Sequence, residues 1–120
     1  MDTTILSNKT IEELLAVIQR LVEHYHPFKV VLFGSQAWGE PDEGSDVDLF
    51  IVKETDERFL DRMRTVKRLL YETGRVPFAM DVLIYTPQEV EQRLSLGDPF
   101  ICDILNGGLV LYESTDPRMA

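Results

Sequence analysis

The stretch "FGSQAWGEPDEGSDVDLF", from Phe33 to Phe50, joins two apolar segments through an acidic loop rich in Gly. The segment before it, "KVVLF" (Lys29–Phe33), and the one after it, "VDLFIV" (Val47–Val52), are short and β-branched, which predicts two buried strands. Asp46 and Asp48 fall two positions apart at the start of the second strand. Side chains at that spacing leave a strand on the same face, about 7 Å apart, so both carboxylates project together while Val47 and Leu49 point into the core. Two ionised carboxylates so placed repel each other, and a divalent cation removes that cost. Hard cations such as Mg²⁺ take oxygen ligands and keep positions open for water or phosphate.

An isolated D-x-D is by itself a solvated strand end. A third carboxylate changes the reading: Asp81 opens another apolar segment, "MDVLIY" (Met80–Tyr85), which predicts a third strand. If that strand neighbours the second, three carboxylates converge. Such a trio holds two metal ions about 3.5–4 Å apart and suits in-line phosphoryl or nucleotidyl displacement. The Gly-Ser pair fits the same task. Gly34 follows the first strand directly, where a missing Cβ permits a tight turn and close approach of a ligand. Ser35 then opens the short segment Gln36-Ala37-Trp38, whose backbone N–H groups and Ser hydroxyl form a phosphate seat. Alone, that pair is an ordinary turn with a Ser cap.

The elements around this stretch alternate. Thr10 and Glu13 form a capping-box pair, and Ile11, Leu14, Leu15, Ile18, Leu21 and Val22 recur at helical spacing up to about His24, before Pro27. Asp56 to Tyr71 carries Phe59, Leu60, Met63, Val66, Leu69 and Leu70 on one stripe and stops at Gly74. Thr86, Pro87 and Glu89 are placed as N-cap, N1 and N3 of a helix to about Leu94. Asp98 and Pro99 open a last helix ending at Gly107, and "LVLYE" (Leu109–Glu113) is a fourth strand. The fold class is therefore α/β (α+β), one sheet covered by helices, in a single domain spanning 1–120 with its core at about 10–113.

Composition bounds the function. The chain has 120 residues and a net charge of -9, which argues against direct DNA binding, since phosphates demand a basic face. It leaves room for a small polyanion held through metal. Cys102 is the sole cysteine, so no internal disulfide forms; with no signal pattern at the N-terminus and no apolar run of membrane-spanning length, a cytoplasmic location is expected. Cys102 itself reads as core. Basic residues concentrate between Lys53 and Arg75, and Arg58, Arg62 and Arg68 read as one solvated face of a helix that steers an acidic or polyanionic partner. His24 and His26, at a helix end, fit an interaction with the helix C-terminus better than metal ligation.

"FGSQAWG" followed by "SDVDLFIV" resembles the G-S-x-A-x-G … S-D-x-D-L signature of the DNA polymerase beta-like nucleotidyltransferase superfamily, and the short length is similar to its minimal nucleotidyltransferase branch. "MDVLIYTPQEVEQRL" and "DPFICDILNGGLVLYE" resemble that branch too. The resemblance implies a mixed central sheet flanked by helices and transfer of a nucleoside monophosphate, AMP from ATP or its equivalent from another nucleoside triphosphate, to a hydroxyl. By position it makes Asp46, Asp48 and Asp81 the catalytic metal ligands, for two Mg²⁺ ions with Mn²⁺ as an alternative. Asp81 also helps activate the acceptor, and Gly34, Ser35, Gln36 and Ser45 hold the nucleotide. Many relatives carry Arg where this chain has Gln36 and Trp38, so two phosphate-neutralising charges are absent; Gln36 still offers hydrogen bonds, and Trp38 is either a partly buried anchor or a stacking surface.

The branch further implies an antitoxin of a toxin–antitoxin module. Its partner is a HEPN-domain ribonuclease toxin, silenced by AMP attached to a tyrosine, in an oligomer with that partner. Two other functions are compatible with the residues: a binding module that neutralises its partner by contact alone, and one subunit of a small-molecule (antibiotic) nucleotidyltransferase.

Overall fold

The computed structural model describes residues 8–34 and 47–115. Helix α1 (Asn8–Tyr25) leads into strands β1 (Lys29–Phe33) and β2 (Val47–Val52), then α2 (Phe59–Thr73) and β3 (Met80–Tyr85). Helices α3 (Pro87–Ser95) and α4 (Pro99–Gly107) follow, and β4 (Leu109–Glu113) closes the series. The strands form one mixed sheet in the order β3-β2-β1-β4. β1 pairs antiparallel with both β2 and β4, while β2 and β3 are parallel and joined through α2.

Alternation along each strand splits the apolar side chains between two layers. Val30, Leu32, Val47, Leu49, Ile51, Val82 and Ile84 pack with Leu14, Val17, Ile18 and Leu21 of α1 and Val66 and Leu70 of α2. On the other face Phe28, Val31, Phe33, Phe50 and Val52 pack with Ile101 and Ile104 of α4, and Val90 of α3 lies against them. Each fully buried Leu, Ile or Phe contributes about 1.5–3 kcal/mol, so the two-sided burial of β1 and β2 fixes these central strands most firmly. The expected sheet flanked by helices is the one observed, and all four strands carry the expected bounds.

The helices differ from expectation at their ends and on their faces. α1 is described from Asn8, so Thr10 lies inside the helix, two positions past the first described residue. Its buried stripe takes in Val17 and leaves Leu15 49% exposed. Both residues flank the stripe in sequence, and the position of the sheet decides which flank is covered. α2 starts at Phe59, three residues later than expected, with Arg58 at the N-cap making no side-chain cap bond, and it ends at Gly74 as expected. The α3 cap is as expected: Thr86 Oγ1 accepts from the Glu89 N–H at 3.1 Å, and Glu89 Oε1 accepts from the Thr86 N–H at 2.8 Å. Asp98 caps α4, whose helical turns run through Gly107.

Candidate active site

The alternation that places Val47 and Leu49 under α1 and α2 turns Asp48 to the opposite face, where Phe50 and Val52 meet α4. The same rule turns Asp81 to that face, because its neighbour Val82 packs inward. Register then aligns the strands. Asp48 stands directly opposite Asp81 across the parallel pair, and Phe33 stands opposite Asp48 across the antiparallel pair. With strands about 4.8 Å apart, Phe33, Asp48 and Asp81 form one row across β1, β2 and β3 at one end of the sheet. Phe33 is buried, Asp48 half-buried and Asp81 exposed, so the row grades from core to water.

Gly34 ends this row on the β1 side. Its φ of 81° lies in the left-handed region, which favours glycine. A methyl group built on it would overlap the Asp48 carboxylate and lie 3.3 Å from its Cγ. The β1 backbone therefore runs against the carboxylate with no space for a side chain. The structure thus brings together Gly34, Asp48 and Asp81; Asp46, Ser35, Gln36 and Ser45, with Trp38, lie outside the described residues. Among the described residues no cluster of three or more acidic, His or Cys side chains forms a metal site. Two carboxylates in register, with a glycine giving backbone access, are a hard-oxygen donor set that fits Mg²⁺ once a further carboxylate joins it.

Among the described residues, two cavities beside β3 are lined by neither Asp48 nor Asp81. One of about 260 Å³ is lined by Lys67, Leu70, Tyr71, Val76, Phe78, Ala79 and Met80; the other, about 360 Å³, is lined by Phe59, Tyr85, Glu89, Gln92 and Arg93. Phe100, in the first turn of α4, was not among the expected site residues. Its ring packs edge-on to Phe33 with centroids 5.9 Å apart, and it remains 47% exposed.

The basic face of α2 is corrected. Arg62 is 6% exposed. Its guanidinium donates to Glu89 Oε1 at 2.7 Å and Oε2 at 3.2 Å, to the Ile84 carbonyl at 3.0 Å and to the Glu57 carbonyl at 2.9 Å. The Arg62 bond to its carboxylate, helped by the Thr86 N–H, holds the Glu89 carboxyl below the usual carboxylate range, against the opposing effect of burial. Arg62 therefore ties α2 to the end of β3 and to the α3 capping box. The helical stripe around Val66 carries it inward, and a residue-type pattern cannot separate an inward-turned Arg from a solvated one. Arg58 and Arg68 are exposed, and Arg64 pairs with Asp61 at 3.0 Å. Cys102 is half-buried, so it is not a core residue. His24, in the last turn of α1, and His26 are both exposed.

The sheet order and helix layers give an α/β domain with a carboxylate row at one end of the sheet. Residues 11–105 match the nucleotidyltransferase domain family, and the chain belongs to it. A relative from Methanocaldococcus jannaschii, described as "Putative protein adenylyltransferase MJ1305", is 30% identical over 115 residues, covering 94% of this chain and 76% of the relative. A crystal structure described as a "putative nucleotidyltransferase" from Sulfolobus solfataricus superposes with a TM-score of 0.61 at 16% identity. The match covers 90% of this chain and 84% of that one and bears on the fold alone. Among the described residues no helix is long and apolar enough to cross a membrane.

Proposed function

We propose that this protein transfers AMP from ATP to a protein hydroxyl, and that the acceptor is a tyrosine of a HEPN-domain ribonuclease for which it serves as antitoxin. The observation that carries the transfer chemistry is the register of Asp48 against Asp81 beside Gly34. The adenylyltransferase name of the M. jannaschii relative supports AMP and a protein acceptor; the toxin–antitoxin assignment rests on the sequence resemblance alone.

Asp48 and Asp81, joined by Asp46, would hold Mg²⁺. When bound, the metal neutralises the triphosphate and lowers the pKa of the acceptor hydroxyl. The side chains divide the rest. Asp48, half-buried and backed by the Gly34 backbone, is held in one place, which suits a fixed ligand. Asp81, at the exposed edge of the row, faces an incoming acceptor and takes its proton. The acceptor oxygen forms a bond to the α-phosphorus, the bond from that phosphorus to the bridging oxygen breaks, and pyrophosphate leaves. Gly34 lets the triphosphate approach the backbone where any side chain would exclude it.

The test is transfer of label from α-labelled ATP to a co-expressed HEPN partner. Labelled partner with the wild type, and none with Asp48→Asn, is the expected result. Neutralisation of the partner without label refutes transfer and leaves a contact antitoxin; label on a small molecule refutes the protein acceptor.

A further inference from the structure

The row of site residues continues past Asp48 into an aromatic pair that the transfer chemistry does not use. Phe33 is buried beside Asp48, and Phe100 packs edge-on to it at 5.9 Å. Phe100 belongs to the first turn of α4, whose neighbours Ile101 and Ile104 are wholly buried. These anchors fix the helix, so a large aromatic ring is held firmly while 47% of it stays open.

The same helix end is closed to phosphate. Asp98 Oδ1 already accepts from the Phe100 N–H at 2.9 Å and the Ile101 N–H at 3.4 Å. Its negative charge opposes a second anion there. An apolar ring packed on Phe33 beside Asp48, but at a point that rejects phosphate, suits the uncharged part of a nucleotide. Asp48 and Gly34 belong to the phosphate end of the proposed site, and Phe100 reaches that end through Phe33, about one strand spacing plus one ring contact from Asp48. The sugar spans that interval.

We propose that Phe100 is the stacking platform for the nucleobase of the bound nucleoside triphosphate, an inference that rests on the nucleotidyltransferase reading. Stacking is tolerant of base identity, because every base has a π-face. The platform therefore favours purines through their larger area and leaves the choice between adenine and guanine to other groups.

Calorimetric titration of the full chain in Mg²⁺, with ATP and with inorganic tripolyphosphate, separates the base from the phosphates. Phe100→Leu keeps apolar cover over Phe33 and removes the aromatic face, and Phe100→Trp restores one; thermal melts confirm that both variants are folded. Phe100→Leu is expected to weaken ATP binding by about tenfold, the scale of one base–aromatic stack, to leave tripolyphosphate binding unchanged, and to be rescued by Phe100→Trp. Equal ATP affinity in wild type and Phe100→Leu, equal loss of both ligands, or wild-type binding of tripolyphosphate as tight as ATP each overturns the platform while leaving the phosphate seat intact. Wild type binding neither ligand overturns the nucleotidyltransferase reading, and the platform with it.

Discussion

Replacing Gly34 with Ala tests the site through its backbone. Two costs follow from the structure. An L-residue at φ 81° is disfavoured by about 1–2 kcal/mol. The new methyl also overlaps the Asp48 carboxylate. That carboxylate is the far end of a rotatable side chain, so it moves, and the overlap adds little to the stability cost. The expected loss of stability is therefore about 1–2 kcal/mol, a fall in Tm of several degrees. The functional cost is larger, because a ligand displaced by on the order of 1 Å costs about a hundredfold in rate. The assay has two arms. Thermal melts with and without Mg²⁺ and ATP should show the wild-type shift reduced or absent in Gly34→Ala, and label transfer to the partner should fall about a hundredfold. Repeating Gly34→Ala in an Asp48→Ala background separates the costs, since only the backbone part remains there. A Gly34→Ala protein that keeps the full metal- and ATP-dependent shift would refute the reasoning, because Asp48 would then be free to move without consequence.

Asp48→Asn and Asp81→Asn should each abolish label transfer and leave the melting temperature without ligand unchanged or slightly raised, since each removes one of two facing charges; unfolding of either variant counts against a metal role. Arg62→Met should cost about 3 kcal/mol by chemical denaturation. It strands the Ile84 carbonyl and unpairs a Glu89 carboxylate that keeps 40% of its surface in water, which holds the figure below that of a fully buried pair; a loss under about 0.5 kcal/mol would mean the guanidinium is solvated. Because Arg62 lowers the Glu89 pKa, this pair's contribution is present above the unfolded carboxylate range and is lost as pH falls through the lowered folded value, so Arg62→Met should flatten the acid limb of a stability–pH profile. Tyr25→Phe should stabilise the fold by about 1 kcal/mol, since the buried Tyr25 hydroxyl has no partner among the described residues. Burial, the main cause, pushes that phenol up to about 12, so the fold loses stability as pH rises from about 10 through 12, where the unfolded chain releases the proton and the folded chain still holds it. The variant should lack that alkaline loss, and an unchanged alkaline limb would place the hydroxyl in water.

The sequence determined what local pattern can encode. β-branched runs marked the four strands, Thr86, Glu89 and Asp98 announced the caps of α3 and α4, and the spacing of Gly34, Asp46, Asp48 and Asp81 marked the candidate site. Period-two alternation alone put Asp48 opposite in sense to Val47 and Leu49. Only the tertiary structure decided that β3 lies beside β2 in the register that sets Asp81 against Asp48, because strand order and register arise from the α2 crossover and from layer packing. It also decided that Arg62 turns inward while Arg58 and Arg68 stay in water. Helical spacing assigns a residue to a side of the helix, but its burial depends on a distant acceptor, here Glu89 and the Ile84 carbonyl. Phe100 reads in sequence as one more apolar helix residue. Its open ring beside Phe33 exists because Ile101 and Ile104 claim the buried face of α4 and leave the preceding position at the rim.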